Sequence, residues 1–136
     1  MTAIDRIEGI GAKYRKKLSA EGITTCEKLL EAGATRSGRK RIANECGISD
    51  KLVLEWVNRA DLMRVKGVST QYSDLLEAAG VDTVKELRRR KASSLTEKMV
   101  EANNAKKKRL VRQCPAESQV QRWIDHANEL PPVVKY

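Results

Sequence analysis

Shifted by 58 positions, the chain falls onto itself. Ile4 aligns with Leu62, Ile7 with Val65, Gly9 with Gly67 and Ile10 with Val68. Tyr14 aligns with Tyr72, Leu18 with Leu76, Gly22 with Gly80, Ile23 with Val81, Thr25 with Thr83 and Leu29 with Leu87. The match resumes at a larger offset, where RKRIANEC lies over KKRLVRQC, so that Arg41 meets Arg109, Cys46 meets Cys114 and, further on, Trp56 meets Trp123. An internal repeat constrains the fold more than any other feature, because each copy must form the same supersecondary unit. It divides the chain into unit 1 over residues 1–61, unit 2 over 62–130 and an extended tail over 131–136. No Pro, Gly or Ser linker parts the copies, so the two units are expected to pack together. Unit 2 carries roughly ten extra residues around SSLTEKMVEANN. These are read as an inserted helix near 93–104 with Leu95, Met99 and Val100 facing inward.

Caps and breakers set the local structure. A helix follows Gly11 and stops at Gly22, as glycine stops helices just past their ends. Thr24 or Thr25 caps a short helix ending at Gly33, and Thr35 or Ser37 opens another that Gly47 closes. Ser49 caps a longer helix with Leu52, Val53, Trp56, Val57 and Ala60 on one face at three- and four-residue steps. No alternating run of strand length occurs. The expected class is all-α, without a sheet. The chain has no Phe, so the core rests on Leu, Ile, Val and Ala, with Trp56 and Trp123 as paired apolar anchors. Tyr14 and Tyr72 are read as packing residues with a hydroxyl at the surface. Pro131 and Pro132 end the last helix and force an extended path. The following ELPPVVKY tail is expected to fold back into a groove between the units or to dock on a second copy.

Three cysteines, Cys26, Cys46 and Cys114, form no C-x-x-C pair. This argues against a disulfide framework and a zinc site and for a reduced, cytoplasmic setting. Cys46 and Cys114 are read as small buried apolar groups. His126 is the single histidine, next to Asp125 and without ligand-spaced partners. No nucleophile elbow, phosphate-binding Walker loop, Cys/His pair, or D-x-D or E-x-x-H grouping is present. The chain is therefore expected to be no enzyme and to need no cofactor or metal. No stretch approaches the ~18 apolar residues of a membrane span, so no membrane partner is expected.

The net charge is +9, and the basic residues cluster. Arg36, Arg39, Lys40 and Arg41 form one group; Arg88, Arg89, Arg90 and Lys91 a second; Lys106, Lys107, Lys108 and Arg109 a third. Between Lys85 and Arg112 there are eleven basic and three acidic residues. Such runs suit an anionic partner, with a solvated exterior as the bland alternative.

The segment IEGIGAKYRKKL, with its G-apolar-G between helical stretches, resembles a helix-hairpin-helix motif. Unit 1 is similar to the small helical domains at the amino terminus of recombinases and the carboxyl terminus of the bacterial RNA polymerase alpha subunit. The full chain resembles a bacterial family of tandem helix-hairpin-helix proteins known as a domain of unknown function, through GISDKLVLEWVNRADL, KGVSTQYSDLLEAAGVDTVKEL and LPPVVKY. The resemblance implies two tandem helix-hairpin-helix (SAM-like) units of five helices each. It also implies that backbone amides at the start of the second hairpin helix hold a DNA phosphate. Carried over by position, Gly9, Ile10, Gly11 and Ala12 form the cradle, with Lys13, Lys16 and Lys17 adding charge. Gly67, Ser69 and Thr70 are the second copy's equivalents. There Ser69 replaces Gly11 and Gln71 replaces Lys13, and Arg15 departs from the small residue the motif favours. Two functions follow. One is sequence-tolerant nucleic-acid binding, to duplex DNA, through these amides and the three basic runs. The other is a protein–protein interaction scaffold or adaptor. Either is expected of a monomer or weak homodimer.

Overall fold

A computed structural model describes residues 3–7, 9–105 and 110–135. Among the described residues the chain is all-α, with eight α-helices and no sheet. A 3-10 turn, Ile4–Arg6, precedes α1 (Ala12–Ala20), α2 (Cys26–Ala32), α3 (Arg36–Cys46) and α4 (Asp50–Leu62). Then come α5 (Thr70–Ala78), α6 (Val84–Leu87), α7 (Ala92–Ala105) and α8 (Glu117–Glu129). The chain divides into Met1–Asp61 with Val133–Tyr136 and, separately, Leu62–Pro132.

Hydroxyl caps fix most helix starts. Thr25 Oγ1 accepts the Lys28 amide, Thr35 Oγ1 the Gly38 amide and Ser49 Oγ the Leu52 amide, each at 3.1 Å. Ser69 Oγ accepts the Tyr72 amide and Thr83 Oγ1 the Glu86 amide, both at 3.3 Å. Each such cap satisfies one orphan helical donor and contributes about 1 kcal/mol.

Each unit closes on its tryptophan. Trp56 is fully buried with Val53, Val57 and Ala60, and Trp123 is buried with Val120, Ile124 and Ala127. Tyr14 meets Trp56 edge-on at 5.2 Å between ring centroids, and Tyr72 meets Trp123 at 5.1 Å. The glycine turns sit over the same indoles. In unit 1, Ile7 O accepts the Ile10 amide at 3.1 Å, and in unit 2, Val65 O accepts the Val68 amide at 3.1 Å. Gly9 and Gly67 both have φ of 92°, which side-chain-bearing residues rarely adopt. A Cβ at Gly9 would lie 3.4 Å from Trp56 Nε1, and one at Gly67 would lie 3.0 Å from Trp123 Nε1. The first glycine of each turn is thus an architectural requirement.

The units differ after their second helix. In unit 1, α3 packs on α1; in unit 2, α7 packs on α5. So α7 stands where α3 stands and is not an addition to it. Among the described residues unit 2 has four helices, and unit 1 reaches five only with the 3-10 turn counted. The sequence alignment of RKRIANEC with KKRLVRQC also does not carry into structure, because Ile42–Cys46 is helical whereas residues 110–116 are irregular. The cause is Asn103, buried near the end of α7. Its Oδ1 accepts the Leu110 amide at 2.8 Å and the Val111 amide at 3.2 Å, and its Nδ2 donates to Val111 O at 3.1 Å. One side chain thereby satisfies the main chain of Leu110 and Val111 outside any helix. Cys114 is consequently only half-buried, while Cys46 is buried. Leu95 and Met99, four apart on α7, are buried, but Val100 lies a further 100° round the helix and is 39% exposed.

The tail pairs with the α2–α3 connection of unit 1. Lys135 donates its amide to Ala34 O at 2.7 Å. The Arg39 guanidinium donates to Lys135 O at 2.7 Å, to Gly33 O at 2.9 Å and to Ala34 O at 3.3 Å. Arg39 is only 5% exposed, so this basic residue is a structural clamp.

Candidate functional site

The two glycine turns lead into helices with opposite termini. In α5, Ser69 occupies the N-cap and its hydroxyl closes the first turn. In α1 the N-cap is Gly11, which brings no side-chain acceptor. Ile10's amide is turned back onto Ile7 and its side chain is buried, so Ile10 offers nothing outward. The amides of Gly11, Ala12, Lys13 and Tyr14 meet no acceptor among the described residues, and the first intrahelical bond runs from the Arg15 amide to Gly11 O at 2.9 Å. Four orphan donors therefore sit together at the positive end of the helix dipole.

The side chains near this terminus add positive charge. α1 has no acid in its first turn. Helix starts favour acidic residues, so Lys13 there opposes the dipole, and an anion would relieve both charges. Lys13 and Lys16 are exposed and have no ion pair among the described residues. Arg15 pairs with Asp5 at 3.4 Å, and the Lys17 ammonium sits 6.0 Å from the Tyr14 ring centroid. Beside the helix runs an open cleft of about 500 Å³ lined by Ala12, Arg15, Lys16 and Ser19 together with Asp5 and Thr24. α8 also lacks a capping side chain, at Ala116, but carries Glu117 in its first turn.

The second basic run is partly engaged by the fold. Arg88 donates to Leu130 O at the end of α8. Arg90 donates to Gly80 O at 2.9 Å and to Glu86 Oε1 at 3.2 Å. Arg89 and Lys91 are exposed. These residues belong to unit 2, as do Gly67, Ser69 and Thr70, whereas Gly9 to Lys17 belong to unit 1. Lys106, Lys107, Lys108 and Arg109 lie outside the described residues.

Two structural partners were not legible in sequence. His126 Nδ1 accepts the Lys66 amide at 2.9 Å and so anchors the second glycine turn from α8. Its neighbourhood in sequence carries no signal for this, since Arg59 stands at the aligned position. Arg39, within a run that reads as one basic patch, is the clamp on the tail. The cysteines are quiet: Cys26 Sγ donates to Ala3 O at 3.6 Å and Cys46 Sγ to Lys17 O at 3.7 Å. Burial pushes the Cys26 thiol up to about 11 and raises that of Cys46. Glu21 is raised as well, through a hydrogen bond with Glu45. No grouping of three or more His, Cys, Asp or Glu suited to a metal occurs among the described residues. Nor does any described helix have the length and apolarity to cross a membrane.

Fold and surface together define a small, basic, all-helical protein of two repeated units with one uncapped helix terminus beside a glycine turn. The chain belongs to the family of the domain of unknown function DUF4332, whose model matches residues 8–130. No curated protein and no solved structure matches it at a significant level.

Proposed function

We propose that the protein is a cytoplasmic, non-enzymatic nucleic-acid-binding module of the helix-hairpin-helix type, which holds backbone phosphates of duplex DNA at the Gly11–Tyr14 terminus. One observation carries this reading. Five other helices start on a Ser or Thr whose oxygen takes an orphan amide, while α1 starts on Gly11 with a lysine in its first turn. A helix end that is uncapped and cationic is matched to an anion. The amides of Gly11, Ala12 and Lys13 and the side chains of Lys13 and Lys16 form the contact. Contacts of this kind position a duplex without reading its bases.

Titration into labelled duplex at two salt concentrations tests it, with an acidic polypeptide as control. Binding selective for DNA, falling steeply with salt and weakened by Lys13→Glu with Lys16→Glu, is expected. Unchanged affinity in that folded double variant refutes it. The closure of the second terminus by Ser69 favours the other reading, a protein interaction scaffold. In that case the chain captures one protein from a nuclease-treated extract and ignores DNA.

A further inference from the structure

Unit 1 holds a second cationic feature, away from the glycine turn. An open cleft of about 390 Å³ lies between the first turns of α3 and α4, lined by Arg36, Arg39, Lys40, Asp50, Lys51 and Leu54. Arg36, Arg39 and Lys40 fall three and four residues apart, so they share one face of α3. Arg39 is buried with its guanidinium committed to main-chain carbonyls, so the exposed cations of the cleft are Arg36, Lys40 and Lys51. Arg36, Lys40 and Lys51 are exposed and unpaired among the described residues. Three exposed cations, Arg36, Lys40 and Lys51, thus line the cleft with one carboxylate, Asp50, while Leu54 and the aliphatic stems of the basic residues form an apolar wall.

We propose that this cleft receives a phosphomonoester of nucleotide size. A cleft of this volume is in the range of small-molecule sites and exceeds what a bare inorganic anion fills. A phosphomonoester carries a charge of about −1.5 to −2 at neutral pH, whereas a carboxylate or a phosphodiester carries one. The excess of cations over Asp50 therefore favours the monoester, and the Leu54 wall suits a base or sugar. A stiff duplex presents its diester backbone on a convex rod and fits a recess poorly. A free nucleotide and the terminal phosphate of a strand share the required chemistry. The inference does not rest on the glycine-turn reading, because none of its residues belongs to that terminus.

The test compares a nucleoside 5′-monophosphate with its nucleoside, and a 5′-phosphorylated single strand with its dephosphorylated twin, by calorimetry on the full chain. At least one pair is expected to differ by about tenfold or more, equivalent to roughly 1.4 kcal/mol. Lys40→Glu with Lys51→Glu removes that difference, while Lys13→Glu with Lys16→Glu leaves it intact. Both pairs are surface lysines, and a thermal melt confirms that each variant is folded. Whichever pair shows the difference identifies the source of the phosphate. The proposal is overturned if neither pair differs, or if the difference survives Lys40→Glu with Lys51→Glu.

Discussion

Replacing Gly11 with Asp should make the protein more stable and weaken its affinity for DNA at least tenfold. Gly11 sits at φ −86° and ψ −172°, in the extended region where an N-cap residue belongs. A Cβ there meets nothing within 4 Å, so the substitution introduces no clash. An Asp carboxylate would accept an amide at the second or third helical position, as Ser69 does in α5. Gly is itself a tolerable cap, so the gain from the hydrogen bond is only a few tenths of a kcal/mol. The carboxylate's interaction with the dipole adds about 0.3–1 kcal/mol. Loss of glycine's freedom in the unfolded chain adds about 0.4–1 kcal/mol. The sum is of order 1–2 kcal/mol, which for a unit of this size raises the melting temperature by roughly 4–8 °C or more. Phosphate binding responds in the opposite direction, because the carboxylate occupies the amides and repels the ligand. Losing one or two charge-assisted hydrogen bonds at about 1.5–3 kcal/mol each weakens binding at least tenfold. Differential scanning fluorimetry and fluorescence anisotropy on a labelled duplex measure the two quantities on one sample. A stabilised variant that binds DNA like the parent would show that phosphate does not sit at this terminus. A destabilised variant would refute the view of Gly11 as an unstrained cap position.

Gly9→Ala and Gly67→Ala should each destabilise by about 1–3 kcal/mol in urea unfolding, since both demand positive φ. Gly67→Ala should cost the more, because its methyl would lie closer to the indole nitrogen. Arg39→Ala should cost about 2–4 kcal/mol and expose the Lys135 amide to hydrogen exchange. Arg39→Lys should not restore protection, as an ammonium cannot span three carbonyls in the planar geometry of a guanidinium. In the folded protein Cys26 should alkylate more slowly than the half-buried Cys114, read by mass spectrometry at pH 8. Because the Cys26 thiol ionises at about 11 rather than its ordinary 9.0, the unfolded chain loses that proton first. Stability from this group is therefore complete below pH 9 and falls as pH rises through about 11, which an alkaline melt series would record against Cys26→Ala.

The repeat and the hydroxyl-rich helix starts made the all-α class legible, because caps and apolar spacing are local signals. Thr25, Thr35 and Ser49 announce their helices by their own chemistry, whatever the rest of the chain does. The glycines show where such reading stops. Gly9 and Gly11 look equivalent in GIGAKY, yet one is held by positive φ and a tryptophan and the other is geometrically unconstrained. Only three-dimensional neighbours distinguish them. The same applies to charge: Arg88, Arg89, Arg90 and Lys91 read as one patch, but two of the four guanidinium or ammonium groups bond to carbonyls of the fold. Asn103 had no local signature, because its four hydrogen-bond partners lie seven to eleven residues downstream in a segment whose sequence imitates a helix.

The placement of Val133–Lys135 has a consequence for biosynthesis. Unit 1 is discontinuous, with unit 2 as an insertion between its fourth helix and its closing segment. A ribosome makes the chain from the amino end, so the α1–α4 bundle emerges whole while the carbonyl that completes Arg39's coordination is still more than 70 residues from synthesis. During that interval the buried guanidinium lacks one of its acceptors and Ala34 lacks the Lys135 amide. Unit 1 therefore matures last although it is made first, and its final tightening reports that unit 2 has already been translated.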